Sequence, residues 1–213
     1  MRKIVIEEWY RKEQFAFFSE ISHPFYSVTF RVDVSGVYAF AKKNGVSFYH
    51  VLTCLVTEAV NSVEELKLTL RDGELYLLDR RKASFTALRE GSDAFFIVTM
   101  PDCGDILGFC REAERRVREQ SGFIDTASES DELIFISCLP WLELTGLTNE
   151  RDFDRDDAIP RIAWGKYRDE DGRKTLGMSV EVNHRFCDGV HIGKFAAKLQ
   201  SLIDALDTEQ YKI

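Results

Sequence analysis

The sequence predicts an α/β (α+β) two-layer sandwich, a mixed sheet with helices packed against it, and three observations carry that prediction. Segments of helical and of strand period are interspersed along the chain, at least two pairs of strand runs join as hairpins, and no regular strand–helix–strand alternation marks a doubly wound parallel sheet. Size sets the domain count: 213 residues, 45% of them apolar, suffice for one sizeable core but not for two domains and a linker, so residues 1–213 are expected to form a single domain.

In chain order, WYRKEQFAFF reads as a short helix with Phe15 and Phe18 on one face. SVTFRVDV follows as a strand, because Val28, Phe30, Val32 and Val34 alternate with polar residues. A helix from Val37 to Lys43 is stopped by Asn44-Gly45, and a second one, from Ser47 to Asn61, carries an apolar stripe through Phe48, Val51, Leu52, Leu55, Val56 and Ala59 that should bury it. ELKLTLRDGELYLLDR is a hairpin, since Asp72-Gly73 supplies a positive-φ turn. Between Asp102 and Gln120 the helical spacing of Ile106, Cys110, Ala113 and Val117, with REAERR turned outward, predicts an amphipathic surface helix. LIFISCL, Leu133 to Leu139, is apolar on both parities and reads as a central strand covered on both faces. NERDFDRDDAIP is a charged loop, IAWGKY and TLGMSVEV flank RDEDGRK as a second hairpin, and Ile192, Phe195, Ala196, Leu199, Leu202, Ile203 and Leu206 mark a terminal helix.

A net charge of −8 opposes nucleic acid as a partner, because such binding draws its affinity from clustered Lys and Arg. Cysteines at 54, 103, 110, 138 and 187 are scattered, odd in number and free of a C-x-x-C pair, which fits reduced thiols and a cytoplasmic location. The opening MRKIVIEEWYRKE has too short an apolar run for a signal peptide, and no other run is long enough to span a bilayer, so no membrane partner is expected. A phosphate cradle of the G-x-G-x-x-G or P-loop kind is absent.

The stretch VEVNHRFCDG, residues 180–189, raises the functional question. His184 continues the parity of Leu176, Met178, Val180 and Val182, so a regular strand would aim its imidazole inward, and Asp188-Gly189 then starts the terminal helix. One reading makes His184 a hydrogen-bonded core histidine and Asp188 a plain N-cap. A metal site of His184, Cys187 and His191 fits no common zinc spacing and lacks a fourth ligand, so no metal is expected.

The other reading comes from resemblance. HRFCDG has the H-x-x-x-D-G pattern of CoA-dependent acyltransferases, and its surroundings resemble the chloramphenicol acetyltransferase family. Trp9, Arg11, Lys12, Glu13 and Phe15 match that family's Trp-x-Arg-Lys/Arg-Glu-x-Phe segment, and RDGEL at 71–75 and Phe85-Thr86 match further motifs. Ser137, Pro140 and Trp141 match its Ser-x-x-Pro-Trp, and Gly165-Lys166-Tyr167 its Gly-Lys-Tyr. Dihydrolipoyl acyltransferase cores share H-x-x-x-D-G, but the match at Trp9 to Phe15 separates the two, and this chain has no room for a lipoyl domain and linker.

The resemblance implies the CoA-dependent acyltransferase fold, a homotrimer with active sites between subunits, acetyl-CoA as co-substrate, and acetylation of a chloramphenicol hydroxyl, which confers antibiotic resistance. It implies that His184 is the general base and that Asp188 pairs with Arg11 to hold it. It further implies that Lys166 lies near CoA and that Phe17, Phe18, Tyr26 and Ala163 line the acceptor pocket. The family serine that donates to the oxyanion falls, by ungapped counting from Pro140-Trp141, on Gly146, leaving Thr145 and Thr148 as candidate donors. Ala163 stands where the family has threonine, and Asn183 where it has a second histidine. Two alternatives stay open: an acyltransferase for another small hydroxyl or amine acceptor, and a non-catalytic binder of a hydrophobic ligand.

Overall fold

A computed structural model describes residues 1–102, 104–152 and 154–207. Cys103, and Phe153 of the charged segment, lie outside them. The elements in the first half are β1 (Arg2–Ile4), α1 (Lys12–Ser19), β2 (Phe25–Asp33), α2 (Ser35–Asn44), α3 (Phe48–Asn61), β3 (Leu68–Arg71), β4 (Glu74–Leu77), β5 (Lys82–Leu88) and β6 (Phe95–Thr99). Then follow α4 (Ile106–Glu119), β7 (Leu133–Leu139), β8 (Arg161–Gly165), β9 (Arg168–Glu170), β10 (Arg173–Asn183) and α5 (Gly189–Asp204).

The main sheet has the order β2-β10-β8-β7-β5-β6, with β9 paired to β10, and β1-β4-β3 form a small second sheet. β7 runs parallel to both β5 and β8 while the other neighbours are antiparallel, so the sheet is mixed, as the interspersed pattern predicts. α3 is the centre of the helical layer, packed against α2, α4 and α5. Its stripe leaves almost no exposed face, and the two threonines it buries return their hydroxyls to the helix: Thr53 donates to Tyr49 O and Thr57 to Thr53 O, each at 2.8 Å. The helix can therefore be buried nearly all round.

Local chemistry sets the ends. Gly45 takes φ 65° after α2, Ser47 caps α3, and the Asp105 carboxylate accepts the Gly108 N–H at 2.7 Å, so α4 begins at Ile106, several residues after Asp102. Asp72 (φ 53°) and Gly73 (φ 76°) join β3 to β4. Asp171 (φ 53°) and Gly172 (φ 85°) form the second turn, and because that pair closes so tightly the flanking Arg168–Glu170 becomes a strand, where the sequence reading placed RDEDGRK wholly in the connection. β1, β5 and β6 have no counterpart in the periodicity reading.

β10 is buried on both faces. Leu176, Met178, Val180 and Val182 belong to the hydrophobic core, whereas Gly177, Ser179, Glu181 and Asn183 lie under the segment that follows β7. That segment rests directly on the strands: a Cβ on Gly165 would strike the backbone of Leu142 and Leu144, and one on Gly177 the carbonyl of Leu144.

Candidate active site

His184 is the first residue beyond β10, and its N–H donates to Pro24 O at 2.7 Å, which closes the β10–β2 ladder just before β2 begins. The imidazole is consequently not carried into the core. It is held between two rings, stacked on Phe18 with centroids 3.8 Å apart and tilted on Tyr26 at 4.3 Å, with its side chain 32% exposed. Phe17 packs edge-on to Phe18 and is itself exposed, and the Tyr26 hydroxyl donates to Cys187 O at 3.3 Å.

The buried Arg11 reaches this turn from the residue before α1. Its Nη2 donates to Asp188 Oδ1 at 3.0 Å and to the His184 carbonyl at 3.2 Å, and its Nη1 donates to Asp188 Oδ2. Asp188 is at the same time the N-cap residue of α5, so the cap position and the ion pair coexist. Asp188 Oδ1 lies 3.5 Å from His184 Nε2. Burial pushes the His184 imidazole below its ordinary value; the Asp188 carboxylate opposes this and the Arg11 cation reinforces it. The result is a neutral, solvent-reached imidazole at neutral pH.

Two further residues of HRFCDG also shape the turn: Arg185, which the sequence reading passed over, and Cys187, which it weighed only as a thiol and a metal ligand. Arg185 donates through Nε to Ser19 Oγ at 2.9 Å and through Nη1 to Arg155 O at 3.0 Å and Asp156 Oδ1 at 2.5 Å, with its guanidinium 4.7 Å from the Phe15 ring. A charged residue among buried ones, directly after His184, was the available signal. Cys187 donates its thiol to Glu65 O at 3.2 Å, and burial pushes that thiol far above its ordinary value. His184, Cys187 and His191 thus serve separate partners. Among the described residues no three or more His, Cys, Asp or Glu gather in a way that could hold a metal.

The remaining candidates sit elsewhere. Thr145, Gly146 and Thr148 are exposed in the segment after β7, a Cβ on Gly146 would meet nothing within 4 Å, and neither threonine hydroxyl bonds to His184 among the described residues. Ala163 pairs with Ser179 across β8 and β10 and is buried under that segment, where Ser179 Oγ donates to Leu147 O at 3.3 Å. Lys166 is exposed beyond β8, its N–H donating to Leu142 O at 2.6 Å. One chain therefore joins His184, Phe18, Tyr26, Arg11 and Asp188, with Phe17 at the edge, and keeps Thr145, Thr148 and Ala163 on the other side of the sheet, with Lys166 past the end of β8.

The charged segment is clamped to that side. Glu181 accepts from Ser27 Oγ at 3.0 Å, Asn149 N–H at 2.9 Å and Arg151 Nε at 2.6 Å, while Asn183 Nδ2 donates to Arg155 O and Asp157 O at 2.8 and 3.0 Å. Two clefts open on the surface of the described residues. One of about 320 Å³ lies between Tyr38, Lys42, Val46 and Phe48, beside the Tyr167 ring. The other, about 330 Å³, lies among α3, α4 and α5 near Glu58, Arg80 and Lys198, and His184 lines neither.

Among solved structures, the fold recurs in a probable dihydrolipoamide acetyltransferase from Listeria monocytogenes (TM-score 0.68, 14% identity, 98% of this chain and 97% of that one). It recurs also in the dihydrolipoamide acetyltransferase of Azotobacter vinelandii (TM-score 0.69, 17% identity, 94% and 88%). The architecture is that of the CoA-dependent acyltransferases. A solved chloramphenicol acetyltransferase matches more closely, with TM-score 0.87 and 26% identity over 95% of this chain and 99% of that one. In sequence the chain is 28% identical to chloramphenicol acetyltransferase 3 of Escherichia coli over 95% of its length and 97% of the relative's. It is also 28% identical to the Clostridium perfringens chloramphenicol acetyltransferase, over 96% and 95%. The profile of the chloramphenicol acetyltransferase family matches residues 1–200; the chain belongs to that family and is an acetyltransferase. A non-catalytic ligand binder, one of the alternatives the sequence left open, is thereby set aside.

Proposed function

We propose that the protein transfers the acetyl group of acetyl-CoA to a hydroxyl of chloramphenicol, with His184 as general base. The observation that carries this reading is the imidazole itself, half-open to solvent, held below its ordinary pKa, and fixed at the end of β10 by the Arg11–Asp188 pair. A neutral imidazole nitrogen takes the hydroxyl proton as the acceptor oxygen attacks the thioester carbonyl. The tetrahedral intermediate then collapses, the carbon–sulfur bond breaks, and the CoA sulfur leaves with the proton held by the imidazole. No group on the enzyme becomes acylated.

In this reading Phe17, Phe18 and Tyr26 form the apolar wall for the acceptor, Ala163 lies at the other side of the pocket, and Thr145 or Thr148 supplies the oxyanion donor in place of a side chain at Gly146. Lys166 meets a phosphate of CoA, and the aromatic cleft of Tyr38 and Phe48 beside Tyr167 offers stacking room for an adenine ring. A homotrimer of single-domain chains, residues 1–213, brings the two sets together. Support comes from their separation on opposite sides of one sheet and from the exposed Phe17, Trp141 and Leu142, apolar groups that a neighbouring subunit would cover. The location is the cytoplasm, the consequence resistance to the antibiotic, and no nucleic acid or membrane takes part. Among the described residues no helix is long and apolar enough to cross a membrane.

Gly146 and Ala163 favour one second reading, the same transfer to another small hydroxyl or amine acceptor. Purified protein supplied with acetyl-CoA and a panel of acceptors, read by release of free thiol, decides between them. Chloramphenicol should give rapid release, lowered about 10²–10⁴-fold by His184→Ala. Release from another acceptor only would give the second reading its substrate. A His184→Ala rate equal to the parent's would remove the base assignment.

A further inference from the structure

His191 has no part in the transfer described above, yet its imidazole, 2% exposed, is engaged at both nitrogens. It is the third helical residue of α5 after the Asp188 cap. Its Nδ1 accepts the backbone N–H of Asp188 at 2.8 Å, which places the ring hydrogen of the neutral form on Nε2. Nε2 lies 3.1 Å from the Tyr10 hydroxyl and 3.6 Å from Glu65 Oε1, and that hydroxyl donates to the Glu65 carboxylate at 2.5 Å. Every hydrogen direction follows: Asp188 N–H to Nδ1, Nε2–H to the tyrosine oxygen, tyrosine O–H to the carboxylate. The chain of bonds ends on a charge that can only accept.

Its other end is the residue that matters for His184. Asp188 receives both Arg11 donors, and Arg11 also holds the His184 carbonyl, so the orientation of the Asp188 peptide is passed on to the imidazole through two hydrogen bonds. We propose that Glu65, Tyr10 and His191 form a hydrogen-bond relay that positions the Arg11–Asp188 pair, with His191 as a positioning residue for the general base. The inference rests on His184 being that base.

A histidine at this place in the helix is informative. Glu or Gln commonly reaches back from the third position to the cap N–H, and either would close the helix end without titrating near neutrality. Histidine makes the link sensitive to acid. The groups facing it are Glu65 from the turn before β3, Tyr10 and Arg11 from the segment before α1, and Asp188 and Lys194 from its own helix. Burial pushes the His191 imidazole below its ordinary value; Glu65 and Asp188 oppose this, while Arg11 and Lys194 act with it. A proton added at Nδ1 would set donor against donor at the Asp188 N–H, and the cap would open. The contribution of this link to stability is therefore complete above the unfolded value of about 6.5 and is lost as pH falls through the depressed folded value.

The test compares His191→Leu with His191→Gln, well below the melting temperature of each, through kcat, both KM values and the acid limb of kcat/KM. Leucine should lower kcat about tenfold to a hundredfold, the range expected for a misplaced catalytic group, and leave both KM values within about threefold. It should also raise the acid limb, because a loosened turn admits more water to His184. Glutamine, whose carbonyl oxygen can accept the Asp188 N–H, should restore kcat to within about threefold of the parent, the capping box being re-formed. Tyr10→Phe, on an exposed ring, keeps the fold measurable and should give a smaller loss of the same kind. A leucine variant that loses stability but keeps kcat and acid limb, or a glutamine variant no better than leucine, would overturn the relay. His184→Ala assayed in parallel separates the two failures: if it abolishes turnover while His191→Leu does not, the relay alone falls, and if it keeps turnover the base assignment falls and the relay with it.

Discussion

Arg11 and Arg81 are buried to nearly the same degree, 2% and 1% exposed, and they hold their charge in opposite ways. Arg11 faces the carboxylate of Asp188, which is 33% exposed and open to water on one side. Arg81 is bonded to peptide carbonyls: Leu66 O, Leu68 O and Asp131 O at 2.6 Å, and Leu133 O and Ala158 O at 3.1 Å. Those oxygens belong to the entry into the small sheet, the start of β7 and the approach to β8. Burial lowers the Arg81 guanidinium to about 10, against the opposing pull of carboxylates such as Asp131. One arginine therefore fastens backbone from three parts of the chain, and the other sets the orientation and the proton affinity of a neighbouring imidazole. What separates them is the partner, a partly exposed side-chain carboxylate beside the site in one case and backbone carbonyls far from it in the other.

The largest effect should come from Arg81→Leu, which leaves five carbonyl oxygens without their donor. At about 1–3 kcal/mol for each buried acceptor so stranded, the loss approaches the whole stability of an ordinary domain. Denaturant unfolding should find little folded protein, and a midpoint near the parent's would erase the contrast between the two arginines. Asp188→Ala comes second. It strands the buried Arg11 cation and should cost about 3–5 kcal/mol, whereas Arg11→Leu leaves a carboxylate that can turn to water and should cost only about 1–2 kcal/mol. Urea unfolding of the pair measures the asymmetry, and equal costs would break it. The smallest effect is on pH dependence. Because the His184 pKa lies below the ordinary value of about 6.5, kcat/KM should hold at neutral pH and fall only as pH drops through that lower value. Arg11→Leu removes a cation that disfavours the imidazolium, so its acid limb should move upward; a downward move would deny Arg11 its electrostatic part.

The same two residues show what was legible in the sequence. Arg11 could be read because its partner lies in a motif, HRFCDG, that the resemblance made recognisable. Arg81 could not, since it follows Arg80 directly, and Arg80 has a half-exposed side chain paired to Glu58. Which of two adjacent arginines is engulfed depends on carbonyls from residues 66–68, 131–133 and 158, and no local pattern registers them. Glu181 and Asn183 were hidden for a related reason: strand alternation marks them as a solvent face, but they are covered because the acidic and basic residues of NERDFDRDDAIP fold back onto them. Features set by local turn chemistry or by a long apolar period, the Asp72-Gly73 hairpin, the Gly45 stop and the α3 stripe, were legible, while the second hairpin was legible apart from its short strand Arg168–Glu170. The inward aim expected of His184 holds only in part: its ring lies against Tyr26, the partner of Val182 across the sheet, but past the last strand residue it stacks on Phe18 and stays 32% exposed instead of entering the core.

Gly165 and Gly177, on neighbouring strands, give the molecule a bare floor: Leu142 and Leu144 are seated where any larger residue would place carbon, while the rim above them, around Gly146, has empty space on its outer side. In the proposed function that rim faces the acceptor, so variation in what the enzyme accepts would have room to accumulate at 145–148. The floor admits no such drift, and a single methyl group added there would tilt the whole ledge without touching a residue that meets substrate.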